Sequence, residues 1–477
     1  MKLLSALALC LSLLFASGCS ESQKTSADLI ITNANVVDVA SGKVLPKRSL
    51  AINDGIILAI ADTEAANQYK ADTTLDAQGR YVIPGLWDNH IHLRGGEALA
   101  EENRNLLPLY IANGVTTVRD AGGDLYPAIR QWRDQIKAGK LIGPRIISAG
   151  PKLDGPNATW EGSIEVASVA EVPAALDSLQ QLGVDFVKIY DSTISGDVFL
   201  AIVREAEARG MLVAGHMPFT VSLGEAIGSG LDITEHLYYA FKSGSPREDS
   251  LTAAIRASQQ TAKPIGFYTA LHSLHDSYDP ATAKAFFRRM ADANTAVVPT
   301  LHISRVLNNL QQDDHSTDPY LAYIGAGIEE TYARRVNSAR AQPAEAVEFM
   351  RSLNAKFHSM IPDMQAAGVI ILAGSDAGAY NSYTYPGPSL HKELELLVEA
   401  GLTPAQALRA ATINGAKVMG RSAKYGTVEK GKVADLVLLD QNPLKNISHT
   451  QRIHTVILGG KAYGAKDLQQ LLEGVKQ

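Results

Sequence analysis

Cysteine is nearly absent: the 477 residues contain two, Cys10 and Cys19, both at the extreme N-terminus. Beyond residue 19 there is no thiol for a disulfide framework or a thiolate metal site. Any metal must therefore be held by histidine and carboxylate. Long apolar runs are missing as well. The stretch from Leu3 to Phe15 is too short to cross a bilayer, and no later run is long and apolar enough. No basic patch with interleaved aromatics occurs, and the formal net charge is −6, which argues against nucleic acid as a partner. The Gly-x-Gly-x-x-Gly signature of dinucleotide binders does not occur in a strand–turn–helix setting. What remains is ordinary globular material, 46% apolar and 20% charged. It is long enough for one large domain with a satellite.

The N-terminus reads as an export signal. Lys2 precedes the apolar core Leu3–Phe15, and Ala16-Ser17-Gly18-Cys19 follows. That tetrapeptide resembles the lipobox of bacterial lipoproteins, with Ala16 where leucine is more usual. The expectation is a signal peptide over 1–18, lipidation at Cys19 and a polar tether over 19–27. The chain would be exported and anchored in the cell envelope, the lipid being its only membrane contact. Ordinary secretion is the alternative.

Residues 28–80 alternate short β-rich runs with turns, and Asn53-Asp54-Gly55 between apolar runs is a hairpin signal. From residue 81 the pattern becomes strand, loop, helix, repeated. Candidate strands are Tyr81–Leu93, Val115–Asp120, Arg145–Ala149, Asp185–Tyr190, Leu212–His216, Asp232–Leu237, Thr295–Leu301 and Val369–Ser375. Helices such as Val172–Leu182 and Phe199–Arg209 lie between them. Eight such units predict an α/β fold, a (β/α)8 TIM barrel over 81–422. Two long connections, 238–294 and 302–368, would form lids or pocket walls. Residues 423–477 return to β character. Both chain ends are expected to pair into one small β-sandwich, 28–80 with 423–477.

In a parallel barrel the active site lies at the C-terminal strand ends. Titratable residues stand there repeatedly: His90 and His92 on strand one, His216 on strand five, His236 on strand six and Asp376 after strand eight. His90 and His92, two residues apart on a strand, point to one side. Lys188 sits in the apolar run Phe186–Tyr190, where a buried ammonium is costly unless paired or neutralised. Carboxylation by carbon dioxide is one solution, because the carbamate oxygens can bridge two cations. An ion pair with an acid such as Asp191 is the other. Each histidine could singly be a packed core residue. Their joint placement on strand ends argues for a metal site.

Together these motifs resemble the amidohydrolase superfamily, above all its imidazolonepropionase-like and prolidase-like branch. The residues that carry the likeness are VIPGLWDNHIHL, GVTTVRDAGG, VKIY around Lys188, and His216 and His236. AGSDA around Asp376, LTPAQALRAATINGAKVMG and GTVEKGKVADLVLLD also match. The resemblance implies two divalent metal ions, zinc favoured and one ion the alternative. His90, His92 and Asp376 would hold the inner metal, and His216 and His236 the outer. Carboxylated Lys188 would bridge them, and Asp376 would act as general base and acid. The implied activity is hydrolysis of an amide C–N bond in a small molecule, a dipeptide or an N-acyl amino acid.

Two departures stand out. His216-Met217-Pro218 replaces the His-Ala-Tyr of prolidase-like relatives, leaving Tyr190, Tyr238 or Tyr239 to polarise the substrate. Leu237-Tyr238-Tyr239 follows His236 where imidazolonepropionases carry a glutamate. Arg119 and His302 are further candidates for substrate contact, Arg119 through a carboxylate or else in an internal salt bridge. The competing functions are a deaminase or cyclic-amide hydrolase on the same scaffold, and a lipoprotein that binds a small ligand without catalysis. A homo-oligomer is left open.

Overall fold

The computed structural model describes residues 24–62 and 68–476. The expected signal peptide, Cys19 and the first part of the tether lie outside the described residues. The tether ends earlier than expected. Thr25–Asp38 is already a strand, and its first residues, Thr25 to Ala27, pair in parallel with Tyr69 to Ala71. Ala27 packs with Ile30 and Ala51 in a small apolar cluster, which draws the backbone into the sheet.

Both chain ends meet in one eight-stranded sheet rather than two separable sheets. Its order is Lys461–Tyr463, Ile453–Leu458, Leu436–Leu439, Tyr81–Pro84, Thr25–Asp38, Lys43–Asn53 and Ile56–Asp62, with Tyr69–Asp76 also pairing with Thr25–Asp38. The long strand Thr25–Asp38 unites them because it pairs with three neighbours along its length. Alternation then divides the side chains. Val82, Leu436 and Leu438 face a cluster with Leu29, Ile31 and Leu50. Ile83, Val437 and Leu439 face the large core shared with the parallel strands. The hairpin between Lys43–Asn53 and Ile56–Asp62 turns at Asp54 and Gly55, with φ of 48° and 71°. That left-handed pair suits a type I′ turn.

The expected first barrel strand, Tyr81–Leu93, is two strands. Pro84-Gly85 breaks it, so that Tyr81–Pro84 joins the end sheet and Leu86–Ile91 joins the parallel region. A Cβ on Gly85 would lie 2.1 Å from Thr116 Oγ1, so the crossing is tight enough to require glycine.

The parallel strands form two ladders. One holds Leu86–Ile91, Val115–Asp120 and Arg145–Ser148. The other holds Ile164–Glu165, Leu153–Asp154, Val187–Ile189, Val213–Gly215, Ile233–Glu235 and Ala296–Val298. The expected eighth strand is not a ladder strand. It is held by single parallel bridges, Val297 to Ile371 and Ile91 to Ala377. Gly374 and the left-handed Asp376, φ 56°, interrupt regular pairing there. The Asp376 amide nonetheless donates to His90 O at 2.7 Å, and the Leu372 amide donates to Val297 O at 2.9 Å. At the other seam the Asp185 amide donates to Ser148 O at 2.9 Å.

Helix Val172–Leu182 occupies its expected span, with Val172, Ala175, Leu176 and Leu179 buried and Gly183 closing it at φ 73°. The two long connections are helical, as in Phe267–Ser277, Leu301–Asn309, Ala326–Arg340 and Ala344–Ala367.

Candidate metal centre

His90 lies within strand Leu86–Ile91, and His92 follows it. His216 follows Val213–Gly215, His236 follows Ile233–Glu235, and Lys188 is the centre of Val187–Ile189. The structure brings these side chains together with Asp376. Ring centroids are 5.1 Å apart for His90 and His92, 5.2 Å for His90 and His236, and 4.8 Å for His216 and His236. Asp376 Oδ1 is 3.2 Å from His92 Nε2 and 3.5 Å from His90 Nε2, and Oδ2 is 4.0 Å from His236 Nε2. Ligand atoms of His90, His236 and Asp376 lie within 4.8 Å of one another. Three residues at these strand ends, His236, Thr300 and Asp376, have φ of 50° to 59°. Left-handed backbone at non-glycine residues is uncommon, and it gathers at functional sites. Gly378 makes room for His92: a Cβ there would lie 2.2 Å from His92 O.

The hydrogen bonds around the rings assign their tautomers. His90 Nδ1 is 2.6 Å from Glu235 Oε2, His92 Nδ1 is 3.0 Å from Gly122 O, and His216 Nδ1 is 3.2 Å from Asp191 Oδ1. These partners only accept, so each Nδ1 carries the proton. His236 Nδ1 is 2.6 Å from Thr300 Oγ1, whose hydroxyl donates to Pro299 O, so Nδ1 donates there as well. In all four rings Nδ1 is engaged, which leaves Nε2 as the nitrogen free to bind a cation. The Nε2 atoms of His90 and His92 are only 3.3 Å apart. Two facing lone pairs repel, and a cation between them and Asp376 removes the repulsion. Burial pushes the His90 imidazole below its ordinary pKa, and pushes His92 and His236 well below it, so they are neutral donors. The Asp376 carboxyl, set among His90, His92 and His236, stays well below the usual carboxylate range despite its burial. Neutral imidazoles oriented through Nδ1, converging with an ionised carboxylate, are the donor set of a divalent-metal site.

Beneath these ligands lies a buried charge cluster centred on Glu235. Arg119 Nη2 donates to Glu235 Oε1 at 3.0 Å, and Arg119 Nε donates to Asn89 O at 2.6 Å. Lys188 Nζ is 3.2 Å from Glu235 Oε1, off the direction of a hydrogen bond, which leaves a buried amine without a satisfied donor. Burial lowers the Lys188 pKa, with Glu235 opposing. Burial would raise the Glu235 carboxyl, but Arg119, Lys188 and His90 hold it well below its usual value.

The sequence profile of the Amidohydrolase family matches residues 81–463. The chain belongs to the amidohydrolase family. An uncharacterized protein of Mycobacterium tuberculosis is 26% identical over 416 residues, 83% of this chain and 88% of that one. The crystal structure of a candidate prolidase from Bifidobacterium longum superposes with a TM-score of 0.65 at 24% identity, covering 94% of this chain and 99% of that one. A Xaa-Pro dipeptidase with methionine bound in its active site gives 0.67 at 22% identity, covering 92% and 100%. At these identities the two structures establish a shared α/β architecture.

The remaining candidates of this amidohydrolase separate clearly. Arg119 does not face a substrate. It is fully buried and spent on Glu235 and Asn89 O, which corrects the expected carboxylate contact to the internal salt bridge. The His302 amide donates to Glu393 at 2.8 Å, and its ring is absent from the contacts among the metal-ligand candidates. Burial lowers its pKa to about 4. Tyr239 is also taken, its hydroxyl donating to Asp191 Oδ2 at 2.9 Å behind His216. Tyr190 and Tyr238 front the cluster, with ring centroids 4.4 Å from His216 and 6.5 Å from His236. Sequence reasoning missed Glu235. It also missed Asn381, whose Nδ2 donates to Asp376 Oδ1 at 2.7 Å while its Oδ1 accepts from Arg94 and Arg335.

Proposed function

We propose that the protein is a metal-dependent hydrolase that cleaves the amide C–N bond of a dipeptide or an N-acyl amino acid. The observation that carries this reading is the convergence of four imidazoles, each engaged through Nδ1, and one ionised carboxylate at the C-terminal ends of parallel strands. The two ladders and the 369–377 segment are read as one (β/α)8 barrel, joined through the hydrogen bonds at both seams.

His90, His92 and Asp376 would hold one cation and His216 and His236 a second, with zinc the ion suited to these donors. When bound, such ions acidify a water and polarise a carbonyl. Lys188 would bridge them as its carbamate. Burial favours the neutral amine that carbon dioxide requires, and after carboxylation the nitrogen keeps one N–H for Glu235. Tyr190 and Tyr238 would orient the substrate carbonyl, taking the place of the tyrosine missing after His216. Asp376 would accept the proton of the attacking water and pass it to the departing nitrogen. Asn381 would hold the Asp376 carboxylate in position.

The test is amine release from a library of dipeptides and N-acyl amino acids by the metal-loaded enzyme. Asp376→Asn is expected to lower kcat by about 10²–10⁴-fold with a much smaller change in KM. An unchanged kcat would remove Asp376 from proton transfer. Ammonia from a purine, or opening of a cyclic amide, with no release from the library would replace this reading with the deaminase or cyclic-amide alternative.

A further inference from the structure

A second cationic group lies beside the candidate metal ligands and has no role in the reading above. Lys152 is 2% exposed, and Arg94 is 4% exposed. The Lys152 stem packs on Gly122, where a Cβ would meet its Cγ at 2.8 Å. Gly122 is the residue whose carbonyl holds His92 Nδ1. Arg94 follows His92 by two residues and lies 4.0 Å from the centroid of the Trp160 ring. Lys152 Nζ lies 5.2 Å from that same ring and 6.0 Å from Tyr190. Tyr190 in turn packs on His216. The Lys152 stem thus borders the His92 side of the cluster, and both cations stand against the Trp160 ring.

Among the described residues no carboxylate lies within ion-pair distance of Lys152. Its amine has no hydrogen bond or ion pair among the described residues. The nearby acids are engaged elsewhere. Asp120 accepts from the Ser148 hydroxyl at 2.6 Å and the Leu93 amide at 3.1 Å. Asp124 accepts from the Gly95 and Gly96 amides at 3.0 and 2.8 Å. Burial pushes Lys152 well below its ordinary pKa, with Arg94 and Lys188 adding to the effect. A buried cation beside a second cation is costly unless an anion completes the site.

We propose that Lys152 and Arg94 form a subsite for a free carboxylate of the substrate, so that the enzyme selects amides bearing a carboxylate close to the scissile bond. The inference rests on the amide-hydrolase reading for its substrate, but the subsite stands on its own geometry. Arg94 keeps its orientation through Ala379 O and Asn381 Oδ1, at 2.9 and 3.2 Å. It therefore presents a fixed guanidinium, and Lys152 adds a mobile point charge. Trp160 and Tyr190 stand beside the two cations, and an ion pair against such low-dielectric surface is stronger than one in open water.

The test compares N-acetyl-L-methionine with N-acetyl-L-methioninamide on the metal-loaded wild type, Lys152→Met and Lys152→Arg. The wild type is expected to favour the acid. In Lys152→Met the acid-over-amide ratio of kcat/KM should fall by about 10- to 100-fold, mostly through KM, with partial recovery in Lys152→Arg. Isothermal titration with the same two compounds reads the ratio as affinity, without turnover. If the wild type hydrolyses neither compound, amide hydrolysis fails as the function, while the binding ratio still decides the subsite. Equal affinity of the wild type for acid and amide, including no binding of either, overturns the proposal. A Lys152→Met variant that loses both compounds in equal proportion, or whose Tm falls sharply, assigns Lys152 to structure instead.

Discussion

The tautomer of each imidazole is what turns four buried histidines into one site. Glu235 fixes His90 through Nδ1 and also neutralises Arg119 and Lys188, so three basic groups depend on one carboxylate. Glu235→Gln removes that charge and leaves the buried Arg119 guanidinium uncompensated. We expect a loss of about 3–5 kcal/mol in stability, read from the denaturant midpoint. Metal affinity should weaken about 10–100-fold as His90 loses its orientation. Unchanged metal affinity would show that Glu235 does not orient the ligand. The histidines and Asp376 were legible in the sequence because each stands at a strand end. Glu235 was not, because neighbouring strand residues point to opposite sides, and it adjoins His236. The left-handed turn at His236, φ 59°, lets both side chains face the site. The available signal was physical: Arg119, Lys188 and His90 in one apolar interior require an acid. Asn381 lay in a tyrosine-rich loop whose direction only the fold determines.

Among the elements, the parallel strands were legible from apolar runs and the helices from their periodicity. The breaks were less so. Pro84-Gly85 reads as a turn inside one strand, yet it divides two sheets, because Gly85 crosses tightly over Thr116. The segment 369–375 reads as a strand but is reshaped by Gly374 and Asp376, the residues that deliver the carboxylate. Helix Leu301–Asn309 shows how a buried acid can support an element. Its first turn is held by Glu393, from helix Pro388–Glu399, which accepts the His302 amide. Burial raises the Glu393 pKa from 4.5 to about 8. Between those values the unfolded chain ionises while the folded protein keeps the proton, so stability falls as pH rises. The slope is one proton, about 1.4 kcal/mol per pH unit. Glu393→Gln keeps the acceptor oxygen without the titration. Its denaturant midpoint is expected to match the wild type near pH 4.5 and to gain on it steadily towards pH 8. Parallel pH curves for the two proteins would show that Glu393 is ionised in the fold.

At the scale of the whole molecule, the two chain ends form one sheet whose inner face packs on the parallel strands, while its outer face builds a core of its own. Pairing of both ends was foreseeable from their shared β texture. Their union in a single sheet was not, since it follows from the reach of Thr25–Asp38 across three partners. This arrangement leaves the opposite ends of the parallel strands to the metal-ligand candidates, with the helical connections around them. On the proposed reading this mouth would hold two cations bridged through Lys188. That reading is tested most directly by metal content per chain, on protein purified without chelators and supplied with bicarbonate. About two divalent ions are expected in the wild type, falling towards one in Lys188→Ala. One ion in both proteins, or none in either, would contradict it.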